Sequence, residues 1–248
     1  MRLDAGIAAA LAGDFATLAL LHDAELSPTL AAELRDIGFP SSLALVPHGD
    51  AACGSREMMR QAVGALPAPG AVDAFDEIAA DYASIYLTAA HGVSPSESYW
   101  LSDDHLVCQE PMFELRALYA ARGLAAPDWR SRPDDHLVLQ LQFLARRLEA
   151  IAGDDDWREL AGFLDLHLLR WMPDFAARVA DRCDTMFYAA LSLLTDAWLQ
   201  QLRDLIAEHL GNPRPTREQV EAQLAARGDG DAPAAPLRFF PGAAGPSW

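Results

Sequence analysis

Arg132-Pro133-Asp134-Asp135-His136 gathers a guanidinium, two carboxylates and an imidazole within five residues. A helical stripe of Leu137, Leu141, Leu144, Leu148 and Ile151 follows at once. One aspartate is expected to cap that helix while Pro133 fixes its entry. The other aspartate and His136 then stay near the helix start. A carboxylate there can take paired hydrogen bonds from a guanidinium, and an imidazole can donate or accept according to its protonation. Arg132 is expected to pair with Asp134 or Asp135.

Catalytic chemistry has less to stand on. A zinc site wants HExxH or CxxC spacing, and the seven histidines are scattered without either pattern. Asp135-His136 inverts the His-Asp pair of metal-dependent phosphohydrolases. The rival reading is therefore a metal-dependent hydrolase built on His91, His136 and His167 with nearby aspartates. A phosphate-binding GxxxxGK[ST] loop, a GxGxxG after a strand and a GxSxG elbow are all missing from the sequence. The expectation is thus no metal, no cofactor and no catalysis. Cys53, Cys108 and Cys183 lie far apart and read as small buried hydrophobes in a reducing compartment.

Charge narrows the partners. Acids outnumber bases 36 to 19, a net charge of −17, which argues against nucleic acid and against an anionic membrane surface. It leaves room for a cationic partner. No apolar run approaches the ~20 residues of a membrane helix. The Ala-rich start, bracketed by Asp4 and Asp14, makes a poor signal peptide. The cytoplasm is the expected location, with no stable membrane association.

The elements that must position these residues read as helices. Phe75, Ile78, Tyr82, Ile85 and Ala89 recur at steps of three and four. So do Trp157, Leu160, Leu164, Leu168 and Trp171, and then Phe187, Leu191, Leu194, Trp198, Leu202 and Leu205. Each set makes one apolar face of a helix. Ser27-Pro28 reads as a helix start, and Asp154, Asp155 and Asp156 favour the positive end of another. Pro173 is expected to split the chain into two helices, and Gly123 and Gly153 to stop helices. Residues 90–104 and 125–135 read as non-helical binding loops, the second with Pro127, Trp129, Arg130, Arg132 and Pro133.

The fold expected is all-α, a single-domain helical bundle of about ten helices over residues 1–227. A flexible Gly/Pro-rich tail follows over 228–248, with Leu237, Phe239, Phe240 and Trp248 in it. The oligomeric state is open between a monomer and a segment-exchanged dimer.

The chain resembles the TorD/DmsD-type chaperones that serve the maturation of molybdenum-containing redox enzymes. Their Glu-Pro-x-Asp-His motif is matched by Arg132-Pro133-Asp134-Asp135-His136 at Pro, Asp and His. Tyr82, Ile85 and Tyr86 fit an upstream aromatic–aliphatic–aromatic pattern. Pro95, Ser98, Trp100 and Leu101 fit a Pro-x-x-Ser loop ending in an aromatic. Downstream, His167, Leu168, Trp171 and Phe175, and then Phe187, Tyr188, Ala190 and Leu191, fit two further segments. The resemblance runs over residues 75–205. Arg132 departs from it, reversing the charge of the family's leading Glu, and is expected either to pair with Asp134 or Asp135 or to shift which client is preferred.

The resemblance implies a non-catalytic cytoplasmic chaperone. Its partner would be the precursor of a molybdoenzyme, bound through the twin-arginine signal peptide and held for cofactor insertion. The signal-peptide-binding residues it implies are Asp135, His136, Tyr86, Trp100, Tyr82, Ile85, Pro133 and Ser98. Such a leader has a basic segment, suited to carboxylates, and an apolar one, suited to an aromatic groove.

Overall fold

A computed structural model describes residues 2–68, 70–127 and 131–228, the side chains of Val72, Asp73, His91 and Arg227 excepted. Among the described residues the regular elements are eleven α-helices and short 3₁₀ and π turns, with no strand. The chain divides into two compact units, Met1–Arg214 and Pro215–Trp248.

The first unit is organised around α10 (Met186–Leu210), whose Phe187, Leu191, Leu194, Trp198 and Leu202 are all buried. Helices α3 (Gly49–Ala65), α8 (Asp154–Phe163) and α9 (Leu169–Arg182) pack on it. Helix α1 (Ala5–Asp23) lies along α7 (Leu137–Glu149). Leu137, Leu141, Leu144 and Leu148 of α7 are at most 1% exposed. Burial of each such leucine contributes about 2 kcal/mol. The start of α1 is capped by Asp4, which accepts from Ile7 N at 2.9 Å. Ser27 caps α2 (Pro28–Asp36) in the same way, as its sequence indicated.

Buried carboxylates fasten the helices at chosen points. Asp14 of α1 accepts from Ala44 N and Leu45 N at 2.7 and 2.8 Å, and from Trp198 Nε1 at 3.3 Å. Asp81, in α4 (Asp76–Tyr82), accepts from Asp184 N and Thr185 N at 3.0 and 2.8 Å. From a distant helix it thereby fixes the segment that leads into α10.

Several expectations need correction. Pro173 does not divide a helix but lies inside α9. A π turn over Leu164–Leu168 precedes it, and Trp171, Phe175 and Val179 bury the helix, so one missing N–H is tolerated. Residues 90–104 are not wholly irregular: α5 (Glu97–Leu101) is a helix too short for periodicity to reveal. The Phe75 stripe ends at Ile85, because a π turn over Ala83–Leu87 follows α4 and Ala89 is left-handed with φ 49°. Gly123 ends α6 (Glu110–Ala120) at φ 70°, but Gly153 begins α8 rather than ending α7.

The cysteines are not buried hydrophobes: Cys53 and Cys108 are exposed and Cys183 is half-buried. Helix α1 is long and apolar enough to cross a membrane by length and composition, which the sequence reading missed. Leu11, Phe15 and Leu18 explain that composition here, being buried in the core.

The first unit ends at Arg214. In the second unit α11 (Arg217–Gly228) opens with a reciprocal cap. Thr216 N donates to Gln219 Oε1 at 2.8 Å, and Gln219 N to Thr216 Oγ1 at 3.3 Å. Trp129, Arg130 and the tail residues Leu237, Phe239, Phe240 and Trp248 lie outside the described residues.

Candidate functional site

The helix that follows the Pro-Asp-Asp-His run is capped by its histidine, not by an aspartate. Nδ1 of His136 accepts from Val138 N at 3.2 Å. That bond requires a neutral ring with its proton on Nε2. Burial pushes the His136 pKa down to about 3, with Arg132 and His22 adding to the shift.

Asp135 faces inward and is fully buried. Its Oδ2 accepts from Ser98 N at 2.8 Å, near the start of α5. Glu97 N donates to Asp135 O at 3.1 Å, and Leu137 N to Pro95 O at 2.7 Å, forming a single antiparallel bridge between Ser96 and His136. Desolvation raises the Asp135 pKa, and the Ser98 hydrogen bonds oppose that rise. Its Oδ1 is buried without a hydrogen-bond partner. Ser98 is equally buried, and its hydroxyl accepts from Gln109 N at 3.1 Å. Asp135 and Ser98 together bind the start of α7 to α5.

The neighbouring charges are spent elsewhere than expected. Asp134 accepts from Arg116 Nε and Nη2 at 3.1 and 2.8 Å, and Tyr119 OH donates to its carbonyl at 3.0 Å. Arg132 pairs with neither adjacent aspartate. It reaches Asp23 at the end of α1, bonding its carboxylate and, at 3.3 Å, its carbonyl. A cation suits a helix C-terminus, where the backbone dipole is negative. Tyr82 OH donates to the same carbonyl at 2.9 Å.

Tyr82 stacks on Tyr86 with ring centroids 4.8 Å apart. Tyr86 sits in the π turn, and its hydroxyl meets Nδ1 of His22. His22 Nε2 lies 2.9 Å from Thr195 Oγ1, which donates to Leu191 O at 2.8 Å. Thr195 has thus used its proton, so His22 Nε2 must donate and Nδ1 must accept from Tyr86. Burial holds His22 neutral with a pKa of about 3, and raises Tyr86 well above the usual phenol range.

Trp100 is carried by α5, not by a loop. Its Nε1 donates to Ser94 O at 2.7 Å, and its ring meets Phe175 edge-on at 6.2 Å. Among the eight expected site residues, Tyr86, Trp100 and Pro133 are half-buried, whereas Asp135, Ser98, Ile85, Tyr82 and His136 are buried. The motif therefore positions the aromatic elements. Tyr82, Tyr86, His22 and Arg132 form one linked cluster, and Asp135, His136, Ser98 and Trp100 a second, joined to the first through the 132–136 segment.

Sequence reasoning missed Glu97, which is completely buried. It lies 3.1 Å from His167 Nδ1 and accepts from Gln140 Nε2 at 3.0 Å, the same nitrogen that reaches Asp135 O at 2.9 Å. A glutamine beside the leucine stripe of α7 was a usable signal for a buried polar contact. His167, in the second π turn, is 70 residues from Glu97 and gave none.

No group of three or more His, Cys, Asp and Glu side chains among the described residues could hold a metal ion. His136 and His167 are both engaged by protein groups, and the His91 side chain lies outside the described residues.

Comparison with known proteins bears on the family. The family model for the nitrate reductase delta subunit matches residues 50–177. A chaperone protein TorD of Vibrio vulnificus is 33% identical over 131 residues, 49% of this chain and 61% of that protein. The TorD of a Psychrobacter strain is 30% identical over 151 residues, 58% of this chain and 66% of its own length. The TorD of a Vibrio cholerae strain is 28% identical over 143 residues, 55% of this chain and 65% of its own length. The chain thus spans less than two thirds of the curated relatives it matches. With the family model covering more than half of its residues, the chain belongs to the nitrate reductase delta subunit family, that of the TorD-type chaperones.

Proposed function

We propose that this protein is a non-catalytic chaperone for redox-enzyme maturation, working in the cytoplasm and binding the twin-arginine leader of a molybdoenzyme precursor. The observation that carries the reading is the pinning of the Pro-Asp-Asp-His segment to both aromatic elements. Asp135 fixes α5 and with it Trp100, while Arg132 ties the same segment to Asp23 and Tyr82, beside Tyr86. The family membership supports it.

In this reading Tyr86 and Trp100 meet the apolar part of the leader. Asp135, His136, Ser98, Tyr82, Ile85 and Pro133 act by holding those rings in place. A half-exposed carboxylate beside the motif belongs to Asp23, at present paired with Arg132. A leader arginine would compete with Arg132 for it, so the charge reversal at the motif tunes client affinity instead of abolishing it.

The experiment is a titration of the full chain with the leader of its co-purifying client, followed by fluorescence anisotropy. Trp100→Ala and Tyr86→Ala should each weaken binding, and rising salt should weaken it further. Unchanged affinity in both variants would refute the assignment. The hydrolase reading finds no favourable geometry among the described residues.

A further inference from the structure

Glu97 is a carboxyl group shut off from solvent, and nothing in the leader-binding reading uses it. It opens α5, the short helix that carries Trp100. Its two oxygens face different elements. Oε2 accepts from Gln140 Nε2 of α7 at 3.0 Å, and Oε1 lies 3.1 Å from Nδ1 of His167, a residue only 4% exposed. His167 belongs to the π turn Leu164–Leu168, which runs directly into α9. A second, largely buried pair holds the same turn: Arg203 of α10 gives Asp165 two hydrogen bonds, at 2.9 and 2.8 Å. Further along α9, the buried ring of Phe175 meets Trp100 edge-on at 6.2 Å. Helix α5 therefore touches the π turn and the helix that issues from it at two points, one polar and one aromatic.

We propose that Glu97 and His167 are positioning residues of the leader site: the bond between them fixes the register at which α9 leaves its π turn, and so where Trp100 stands. This deepens the leader-binding reading and rests on it. A π turn holds one residue more than the α-helical turn it replaces, so relaxing it would rotate α9 by about 100° against the helix before it. Phe175 would then be carried off the Trp100 ring. Burying a carboxylate is costly, and apolar side chains of the same volume often pack at least as stably. What the polar pair adds is direction. Leucine at position 97 would tolerate a slipped helix, whereas a carboxylate parted from its imidazole in a dry interior does not. Glu97 and Trp100 are three residues apart in a helix of five, which has no length over which to absorb a shift. A displacement at Glu97 is passed on to Trp100.

The test uses the full chain labelled with fluorotryptophan, its Trp100 fluorine resonance assigned by loss in Trp100→Phe, together with the leader titration. Glu97→Gln and His167→Gln keep polar side chains at both positions, and Met59→Ala, in the buried face of α3, is a destabilised control. Each pair variant should shift or split the Trp100 resonance and weaken leader binding by about tenfold. The double variant should lose no more than the worse single one, because one bond is lost only once. Met59→Ala should lower the melting temperature and move neither readout. An unchanged Trp100 resonance in the folded pair variants overturns the proposal. So does an additive loss in the double variant, or an equal shift in Met59→Ala. Circular dichroism melts check folding. If neither pair variant folds, Gln140→Met, which removes one donor from Glu97, decides: a smaller shift of the resonance supports the proposal and no shift overturns it. A wild-type chain that binds no leader, with a shifted resonance in the variants, sinks the leader-binding reading and leaves the pair's hold on Trp100 supported.

Discussion

The Pro-Asp-Asp-His segment and the open groove that α10 forms with α3, lined by Ala51, Ser55, Leu193, Asp196 and Asp204, are opposites. The first has a recognisable pattern of residues and almost no exposed reactive atom: Asp135 and Ser98 are fully buried, and His136 is 7% exposed. The second has no motif at all, yet it presents carboxylates, short side chains and open volume. The contrast separates two jobs. Residues that must satisfy one another across distant elements are constrained in type and spacing, and so become legible as motifs. Residues that line an open groove face no such mutual constraint, and many sequences can supply them.

Four measurements can break or sharpen that contrast. The largest effect is expected from Asp135→Ala, which strips the Ser98 N–H of its acceptor inside the protein. It should destabilise the fold by about 3 kcal/mol in a denaturant melt and also loosen leader binding. An unchanged melt would show that the motif aspartate holds nothing together. Next, Trp100→Ala should reduce leader affinity by about 2 kcal/mol in an anisotropy titration, while Asp204→Asn in the groove should leave both the melt and leader affinity unaltered.

Acid comes third. His22 and His136 have folded pKa values near 3, below the ordinary histidine value of 6.5. The unfolded chain therefore binds more protons between those values, and stability is fully present above pH 6.5 and falls as pH drops through that window. Each histidine contributes a slope of up to about 1.4 kcal/mol per pH unit. Asp14, Asp135 and Asp196 have raised values and act in the other direction, most strongly near the ordinary carboxylate range. The loss should thus be clearest between pH 6.5 and about 5, and a His22→Gln variant should show a shallower slope in pH-dependent melts. Smallest is Arg132→Ala, which opens a half-exposed ion pair and should cost about 0.5 kcal/mol or less. It should tighten binding of an arginine-bearing leader by freeing Asp23, and weaker binding would refute the competition between the two guanidinia.

The long stripes were legible because burial on one helical face imposes its period on the sequence. Trp157, Leu160, Leu164, Leu168 and Trp171 were assigned to the core from spacing alone and are all buried. That stripe crosses a π turn without losing its face, so the turn itself left no mark. Helix α5 escaped because five residues are fewer than two turns. The partners of Arg132 and Glu97 escaped for a different reason. Asp23 and His167 are 109 and 70 residues away, and spacing along the chain carries no record of contacts closed by the fold. The exposure of Cys53 and Cys108 likewise depends on which way an element turns outward, not on residue type.

The relay from Tyr86 through His22 and Thr195 to Leu191 has a consequence for how the surface meets a guest. Every proton along it is committed, so the Tyr86 ring cannot swing outward without leaving a bare imidazole nitrogen in a dry interior. The ring is a fixed platform, anchored by α10, the longest helix among the described residues. Under the proposed leader binding, an arriving side chain would find it already oriented, and little motional freedom would be forfeited when the two surfaces join.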